Sequence, residues 1–581
     1  MPRASRRLRR RLGWPLSILV FLGLLVASPG VVDALSVTDI VPSATVSPRV
    51  FYPNGDGVRD TTTLTYRLAA TTAVSVAVLD YKGTTLRTLR GITTLGAGTY
   101  TATWDGKTST GSMAMNGGYR FRIKATRSGT TVSVDRWMTK ARNQIYPWAP
   151  GVITVAIDAG HGGPDPGAVR PGLYEKTPNL TIALRLRAML LGAGVNVVIT
   201  RTTDTRVNRS GTDWTGDGVV AYRDELASRI EVANRARADV WMVLHNNGTP
   251  PGVGGTETWY DNTRSFTSQN RLLADLVQGQ MLASLRRIDH TSAWSPIDRG
   301  VLHTPFYVLR SYAASFCPRP SLMPGILGES LAMGSSYERY LLASSTGTQA
   351  IAEGYYEGLV RYLAQRAWGV GYTLLDAPPA SLHEGASSST TVRVTNRSPR
   401  TWAAGSVALT LSSLAAVRFY DGSNDPGNRL ASVPIDVALA PGQSVDLTVP
   451  FKAPAYSLYT ATTGATLLKF DLVSGSTRLA SYGVVPLQVP FQVTADPTLP
   501  PPSPSASPSP SPSASPSPSP VASSAAAATA PTNSSAPSAA AQSPSPVVDA
   551  PTDAPTAAPT DAPTDAPSQA PSISPEASPS G

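Results

Sequence analysis

Between residues 151 and 368 the hydrophobic period switches back and forth between that of a strand and that of a helix. "VITVAID" (152–158), "VNVVITR" (195–201) and "DVWMVLH" (239–245) are short runs rich in Val and Ile. Between them, "TPNLTIALRLRAMLLGAG" (177–194) and "RDELASRIEVANRARA" (223–238) place apolar residues three or four positions apart. Parallel strands need a long crossover to return the chain, and a helix supplies it. The alternation therefore predicts βαβ units, hence a central α/β domain with a mostly parallel sheet flanked by helices. Further helices are expected near 266–287 and 346–367, and strands near 305–309 and 324–328.

The flanks follow a different rule. A chain of 581 residues is too long for one core. From 35 to 146, "TTLTYRL" (62–68), "AVSVAVLD" (73–80), "GTYTATWDG" (98–106) and "GGYRFRIKA" (117–125) alternate apolar and polar residues between Gly-rich turns. A small β-sandwich is expected. "YPNGDGVRDTTTLTYRL", "LDYKGTTLRTL" and "WDGKTSTGSMAMNGGYRFRIKA" resemble the Ig-like domain of the flagellar hook-capping protein. Asn54, Asp56 and Asp60 cluster there, as a polar turn or a cation site. Residues 370–495 return to β patterning ("TVRVTNRSPRTWAAG", "LAPGQSVDLTVPFKAP") and look like a second all-β Ig-like sandwich. From 498 to 581 the chain is Pro, Ser, Ala and Thr in short repeats, a composition that cannot bury a core and predicts a disordered tail.

The ends and the charge place the chain outside the cytoplasm. Six Arg up to Arg11 precede an apolar run from Leu16 to Ala27, and small residues allow cleavage after Ala34. Residues 1–34 are therefore expected to be a signal peptide. The other reading is an uncleaved N-terminal anchor, which would be the chain's one contact with a membrane. Cys317 is the only cysteine, so no intramolecular disulfide forms, and cores or a metal must hold an exported fold together. The formal charge of +10 falls on the middle of the chain, because the tail carries acids and no Lys or Arg. Such a surface suits an anionic wall polymer. Nucleic acid is not expected as a partner, since there is no clustered basic helix or recognised motif.

Ligands of open α/β sheets gather at the carboxyl ends of the strands. His161 follows the first strand in "VAIDAGHGGPDPGA". His245 ends another in "WMVLHNNG", and Glu329 is expected to end a third in "PGILGES". Glu175, in "GLYEKTPNL", lies on the loop into the first helix. Two imidazoles and a carboxylate make a catalytic zinc set with the fourth position left for water. A further carboxylate serves as general base towards that water. The alternative for each His is an ordinary, satisfied loop residue.

"IDAGHGGPDPGA", "GLYEKTPNLTIALRL", "VVITRTTD", "LASRIEVANRARADVWMVLHNNG", "GGTETWYD", "RGVLHTPFYVLR" and "GILGES" resemble, in this order, the motifs of the zinc-dependent N-acetylmuramoyl-L-alanine amidases. The resemblance covers nearly all of 151–368. It implies zinc ligands at His161, Glu175 and His245, and a catalytic Glu329. It also implies peptidoglycan as the partner, cut at the amide between N-acetylmuramic acid and L-alanine of the stem peptide by a secreted or wall-associated enzyme. Other anionic wall polymers are further candidate partners. The chain departs from the family's usual residues around His245, where it has Val243 and Leu244, and around Glu329, where it has Gly328 and Ser330.

An insertion, "DWTGDGVVAYRD" (213–224), sets Asp213, Thr215, Asp217 and Asp224 at positions one, three, five and twelve of a calcium loop, with Gly218 at six. Calcium is thus a second candidate cofactor, and a plain polar turn is the alternative. Two other functions compete with the amidase. One is a non-catalytic wall-binding or adhesion protein built on a decayed amidase domain. The other is a zinc peptidase cutting within the stem peptide.

Overall fold

A computed structural model of the chain describes residues 35–142, 151–288, 294–313, 316–414 and 427–498. The expected signal segment at 1–34 and the tail from 499 onward lie outside the described residues. Among the described residues no helix is long and apolar enough to cross a membrane.

The N-terminal region is two antiparallel layers. One holds Ser43–Ser47, Thr62–Leu68 and Gly98–Trp104. The other orders Val50–Phe51, Thr130–Lys140, Gly117–Arg127, Thr72–Leu79 and Thr85–Leu95, with one parallel pair at the Val50–Phe51 edge. Every second residue of Thr62–Leu68 and Thr72–Leu79 is buried, so Leu64, Tyr66, Val74, Val76 and Val78 meet Phe121 and Ile123 in the core. Trp104 anchors it, packing edge-on against Phe51 and Tyr119 while its indole N–H donates to the Lys107 carbonyl at 2.8 Å. The Asn54–Asp60 segment is a polar turn. Asp60 accepts the amides of Asn54, Gly55 and Gly57 at 2.8–2.9 Å.

The central region is labelled in chain order: β1 (Thr154–Ala159), α1 (Lys176–Gly192), β2 (Asn196–Ile199), α2 (Tyr222–Arg235), β3 (Val240–Asn247), β4 (Thr256–Tyr260), α3 (Thr267–Arg286), β5 (Asp298–His303), β6 (Gly325–Ala332), α4 (Ser336–Ala343) and α5 (Ser345–Gln365). The six strands lie in the order β2-β1-β3-β6-β4-β5. All neighbours are parallel except β4 and β6. β1 is buried at every residue because both faces are covered, which is why it reads as an unbroken apolar run. On one face α1, α3 and α5 pack through Ile182, Leu186, Val277, Met281, Tyr355 and Leu359 onto Val155, Ile157, Met242 and Leu244. On the other face Ala227 and Ile230 of α2 pack with Trp241, Val243, Tyr307 and Met323.

Two expectations need correction. Residues 305–309 are not a strand; the strand is β5, just before them. Pro305 has no N–H for a ladder, and Phe306, Leu309 and Arg310 close tight turns instead. The run is apolar because Tyr307, Val308 and Leu309 fill the second core. Glu329 does not end its strand either: β6 continues to Ala332.

The C-terminal region is a second two-layer β structure. Val370–Asp376, Ser387–Asn396 and Ser444–Lys452 form one layer. Ser381–His383, Leu487–Thr494, Ala465–Ser474, Ala408–Ser413 and Asn428–Pro434 form the other. Val392, Val394, Leu409, Leu411, Phe470 and Phe491 share the core with Trp402.

Both flanking regions are tied to the centre by buried polar contacts. The last turn of a helix leaves carbonyls without partners. At the end of α1 the N-terminal sandwich supplies donors: Arg49 reaches the carbonyls of Leu191 and Gly192, and the Thr139 hydroxyl that of Met189 at 2.6 Å. At the start of β3, Asp239 receives Arg366 at 2.9 Å and Arg397, from the C-terminal side, at 3.3 Å.

Candidate metal centre and active site

Three elements deliver the central donors. His161 sits two residues past β1, in the left-handed region at φ 60°. That conformation is costly for a residue with a side chain and persists only where neighbours hold it. Two buried arginines do so. Arg201 donates to the carbonyls of Ala159 at 2.8 Å and Gly160 at 2.9 Å. Arg229, paired with Asp158 at 2.8 Å, donates to the carbonyl of His161 itself at 2.9 Å. Glu175 stands at the N-cap position of α1 with its side chain turned away from the helix amides, and His245 stands two residues before the end of β3, where the register with β6 shifts.

Their donor atoms converge. His161 Nε2 lies 3.1 Å from Glu175 Oε2, and His245 Nδ1 lies 3.0 Å from Glu175 Oε1. The two rings meet edge to face, 4.7 Å between centroids. Among the described residues this is the one set of three or more His, Cys, Asp or Glu whose ligand atoms all lie within 4.8 Å of one another. The surroundings are cut to fit it. A Cβ on Gly160 would strike the His245 ring, and one on Gly167 would press on His161 and Glu175. Two nitrogen-donor imidazoles and an oxygen-donor carboxylate, seated in a cradle without room for another side chain, fit a zinc ion.

Hydrogen bonds outside the trio orient it. Asp165 Oδ2 lies 2.8 Å from His161 Nδ1, leaving Nε2 turned to the centre. Glu175 also accepts from the amide of Ala168 at 2.9 Å, the amide of Asn246 at 3.2 Å and the side chain of Asn179 at 3.1 Å. Burial pushes the Glu175 carboxyl up, but the hydrogen bonds and charges of His161 and His245 outweigh it and hold the group far below the ordinary carboxyl range. Burial lowers His161, and the bonds to Glu175 and Asp165 more than restore it, leaving the imidazole above its ordinary value.

Glu329 lies beside the trio. It is in register with His245 on one neighbouring strand and with Glu257 on the other, so the three side chains share a face of the sheet. Its Oε2 is shut off from solvent and has no hydrogen-bond partner. Burial first, then the charges of Glu175 and Glu257, push its carboxyl well above the ordinary range. Glu257 itself is held by Arg299 at 2.6 Å, Asn247 at 2.6 Å and the Trp259 indole at 3.1 Å. All four chemical residues line one pocket of about 350 Å³, walled by Tyr222, Phe306 and Tyr307. A proton donor or acceptor thus faces a three-donor centre across a space of ligand size.

The sequence reading passed over Asp165, Arg201, Arg229 and Glu257. Asp165 alone left a local signal, four residues after His161 in the same loop.

The insertion loop has a different outcome. Asp213 accepts the amides of Gly216 at 2.6 Å and Gly218 at 2.8 Å. Asp224, fully buried, accepts those of Thr215 at 2.8 Å and Ala221 at 2.7 Å, and the Thr215 hydroxyl at 3.0 Å. Asp217 pairs with Arg223 at 3.1 Å. The carboxylates serve the loop's own backbone and the Thr215 hydroxyl, which lies 3.2 Å from Asp213 Oδ1 and 3.0 Å from Asp224 Oδ1, while Asp217 turns to Arg223.

Comparison with known proteins agrees with the motif order. The family model described as N-acetylmuramoyl-L-alanine amidase matches residues 155–361, and the FlgD Ig-like domain model matches 54–129. The N-acetylmuramoyl-L-alanine amidase CwlM of Bacillus licheniformis is 31% identical over 212 residues, covering 36% of this chain and 68% of that protein. The N-acetylmuramoyl-L-alanine amidase LytC of Bacillus subtilis is 29% identical over 225 residues; the match covers 39% of this chain and only 38% of LytC. The solved structure of N-acetylmuramoyl-L-alanine amidase AmiC2 of Nostoc punctiforme is 30% identical, covering 37% of this chain and all of that one, with a TM-score of 0.29. Through its central region, this chain belongs to the N-acetylmuramoyl-L-alanine amidase family.

Proposed function

We propose that the chain is an exported peptidoglycan hydrolase that cuts the amide between N-acetylmuramic acid and L-alanine of the stem peptide, with zinc held by His161, Glu175 and His245. The observation that carries this reading is the convergence of these three side chains next to an unpartnered carboxyl, Glu329, in one pocket. When bound, zinc supplies Lewis acidity that polarises a carbonyl and brings water within reach of deprotonation near pH 7. The residues do the rest. Asp165 fixes the His161 ring, and Arg201 and Arg229 pin the loop that carries it. Glu329 takes the proton from the attacking water and hands it to the leaving nitrogen of L-alanine. A carboxyl that binds a proton readily suits the second half of that transfer. Tyr222, Phe306 and Tyr307 screen the pocket from bulk water. Residues 1–34 serve export, and the tail from 498 onward keeps the folded part attached to or within the wall.

Digestion of purified wall, followed by identification of new termini, tests the function. Free L-alanine amino termini are expected. Cuts inside the stem peptide would replace the amidase by a peptidase. No cuts would leave a wall-binding protein.

A further inference from the structure

A second cleft, of about 290 Å³, lies between the N-terminal sandwich and the central region. Asp80, Tyr81, Met113, Met115 and Tyr119 line it from the sandwich, and Arg185 of α1 lines it from the other side. Arg185 is only 7% exposed, yet among the described residues no carboxylate lies within ion-pair distance of it. Its contacts are neutral. Nη1 donates to Gln349 at 2.7 Å, Nη2 donates to Ser345 at 2.8 Å, and the guanidinium lies 4.5 Å from the Tyr81 ring centre. Nε is shut in without a partner. A guanidinium has five N–H donors, so each terminal nitrogen keeps a second hydrogen, the forked pair that suits a carboxylate. A buried cation without an anion is costly in a cleft that serves only packing.

The opposite charge stands across the same cleft. Asp80 follows the strand Thr72–Leu79, and its Oδ1 accepts the amides of Lys82 at 2.9 Å and Thr84 at 2.8 Å. These bonds fix the carboxylate and leave Oδ2 free for a ligand cation. Met113 and Met115, both partly exposed, offer an adaptable apolar wall between the two charges.

We propose that this cleft is a second ligand site that takes the zwitterionic end of a short peptide: its carboxylate on Arg185, its ammonium on Asp80 and its apolar side chain against Met113 and Met115. A short peptide with both a free ammonium and a free carboxylate is what the proposed amidase cut releases from the wall, and that link rests on the amidase reading. The site would hold the released peptide beside α1, whose N-cap position is Glu175.

Calorimetric titration of the full chain with D-alanyl-D-alanine tests the site, with the N-acetylated and C-amidated dipeptides as controls. Binding is expected in the wild type and in His245→Ala, which separates this cleft from the metal centre. It should weaken about ten-fold or more in Arg185→Gln and in Asp80→Asn, and similarly for each blocked dipeptide. Melting curves check that the variants fold. Met115→Trp, which fills the mouth without touching the Arg185 hydrogen bonds, should also lose binding and serves if Arg185→Gln does not fold. No heat up to about 10 mM dipeptide, equal binding of the C-amide, or full binding by Asp80→Asn and Met115→Trp overturns the proposal. The wall digest reads out separately. Dipeptide binding without amidase cleavage would keep this site and remove the proposed function, and cleavage without dipeptide binding would do the reverse.

Discussion

The candidate metal centre and the insertion loop both bring acidic or imidazole donors together at motif spacing, and they end differently. At the centre, His161, Glu175 and His245 arrive from three separate elements, and their free atoms point at one another. In the loop, Asp213, Asp217 and Asp224 lie within twelve residues, and their oxygens turn back onto the loop's amides and Arg223. A flexible polar loop satisfies its own carboxylates locally, because amides two to nine residues away are always within reach. Donors fixed by a sheet and a helix have no such choice. The two imidazoles hold Glu175 as its carboxylate, and the scaffold bears the desolvation of all three, which keeps them available to an ion.

The largest expected effect sharpens the first half of that contrast. His245→Ala should lose zinc and all zinc-dependent turnover together; full zinc by elemental analysis in this variant would break the ligand assignment. Next comes Glu329→Gln, which keeps the shape but cannot accept a proton. Zinc content and folding should stay, while turnover falls by roughly 10²–10⁴. If Glu329 instead served only stability, the melting temperature would move and turnover per folded molecule would not.

Asp224→Ala probes the second half. It removes hydrogen bonds to two partly buried amide donors, at an expected cost of roughly 0.5–1.5 kcal/mol each, read by denaturant unfolding with zinc content unchanged. Burial raises the Asp224 carboxyl, but the hydrogen bonds from Ala221 and Thr215 outweigh it and leave the folded value depressed. Its contribution is therefore present above the ordinary carboxyl value and lost as pH falls through the folded one. The stability gap between wild type and Asp224→Ala should begin to narrow as pH falls below about 4 and go on narrowing until the folded group is protonated. The smallest effect is expected from calcium itself, which should leave the melting temperature of the zinc-loaded protein where chelator-buffered zinc leaves it. A calcium-dependent rise that disappears in Asp213→Ala would show that the loop opens around the ion and would erase the contrast.

The strands and helices of the centre were legible because both cores are built from runs with clear periods, such as Val155–Ile157 and Ile182–Leu190. Thr85–Leu95 was not legible. It is an edge strand, mostly open to solvent, and carries no alternation. The β5 position was misplaced because Tyr307, Val308 and Leu309 are apolar for the sake of a core and not of a ladder. At the site, residues with distinctive chemistry stood out on turns. Arg201 and Arg229 did not, since an arginine in a helix or after a strand looks like any surface cation until its target carbonyl, up to seventy residues away, is in view.

By itself the sequence determined the division into β, α/β and β regions, the family motifs and the identity of the candidate donors, because these depend on period, composition and residue type. Tertiary structure alone decided that Glu329 lies in mid-strand between His245 and Glu257, and that Arg185 is buried in a cleft with Asp80 and bonded to neutral groups. It also decided that the insertion loop spends its carboxylates on itself. Each of these depends on which groups distant in sequence come within a few ångströms of one another, and hydrogen bonds act only on that scale.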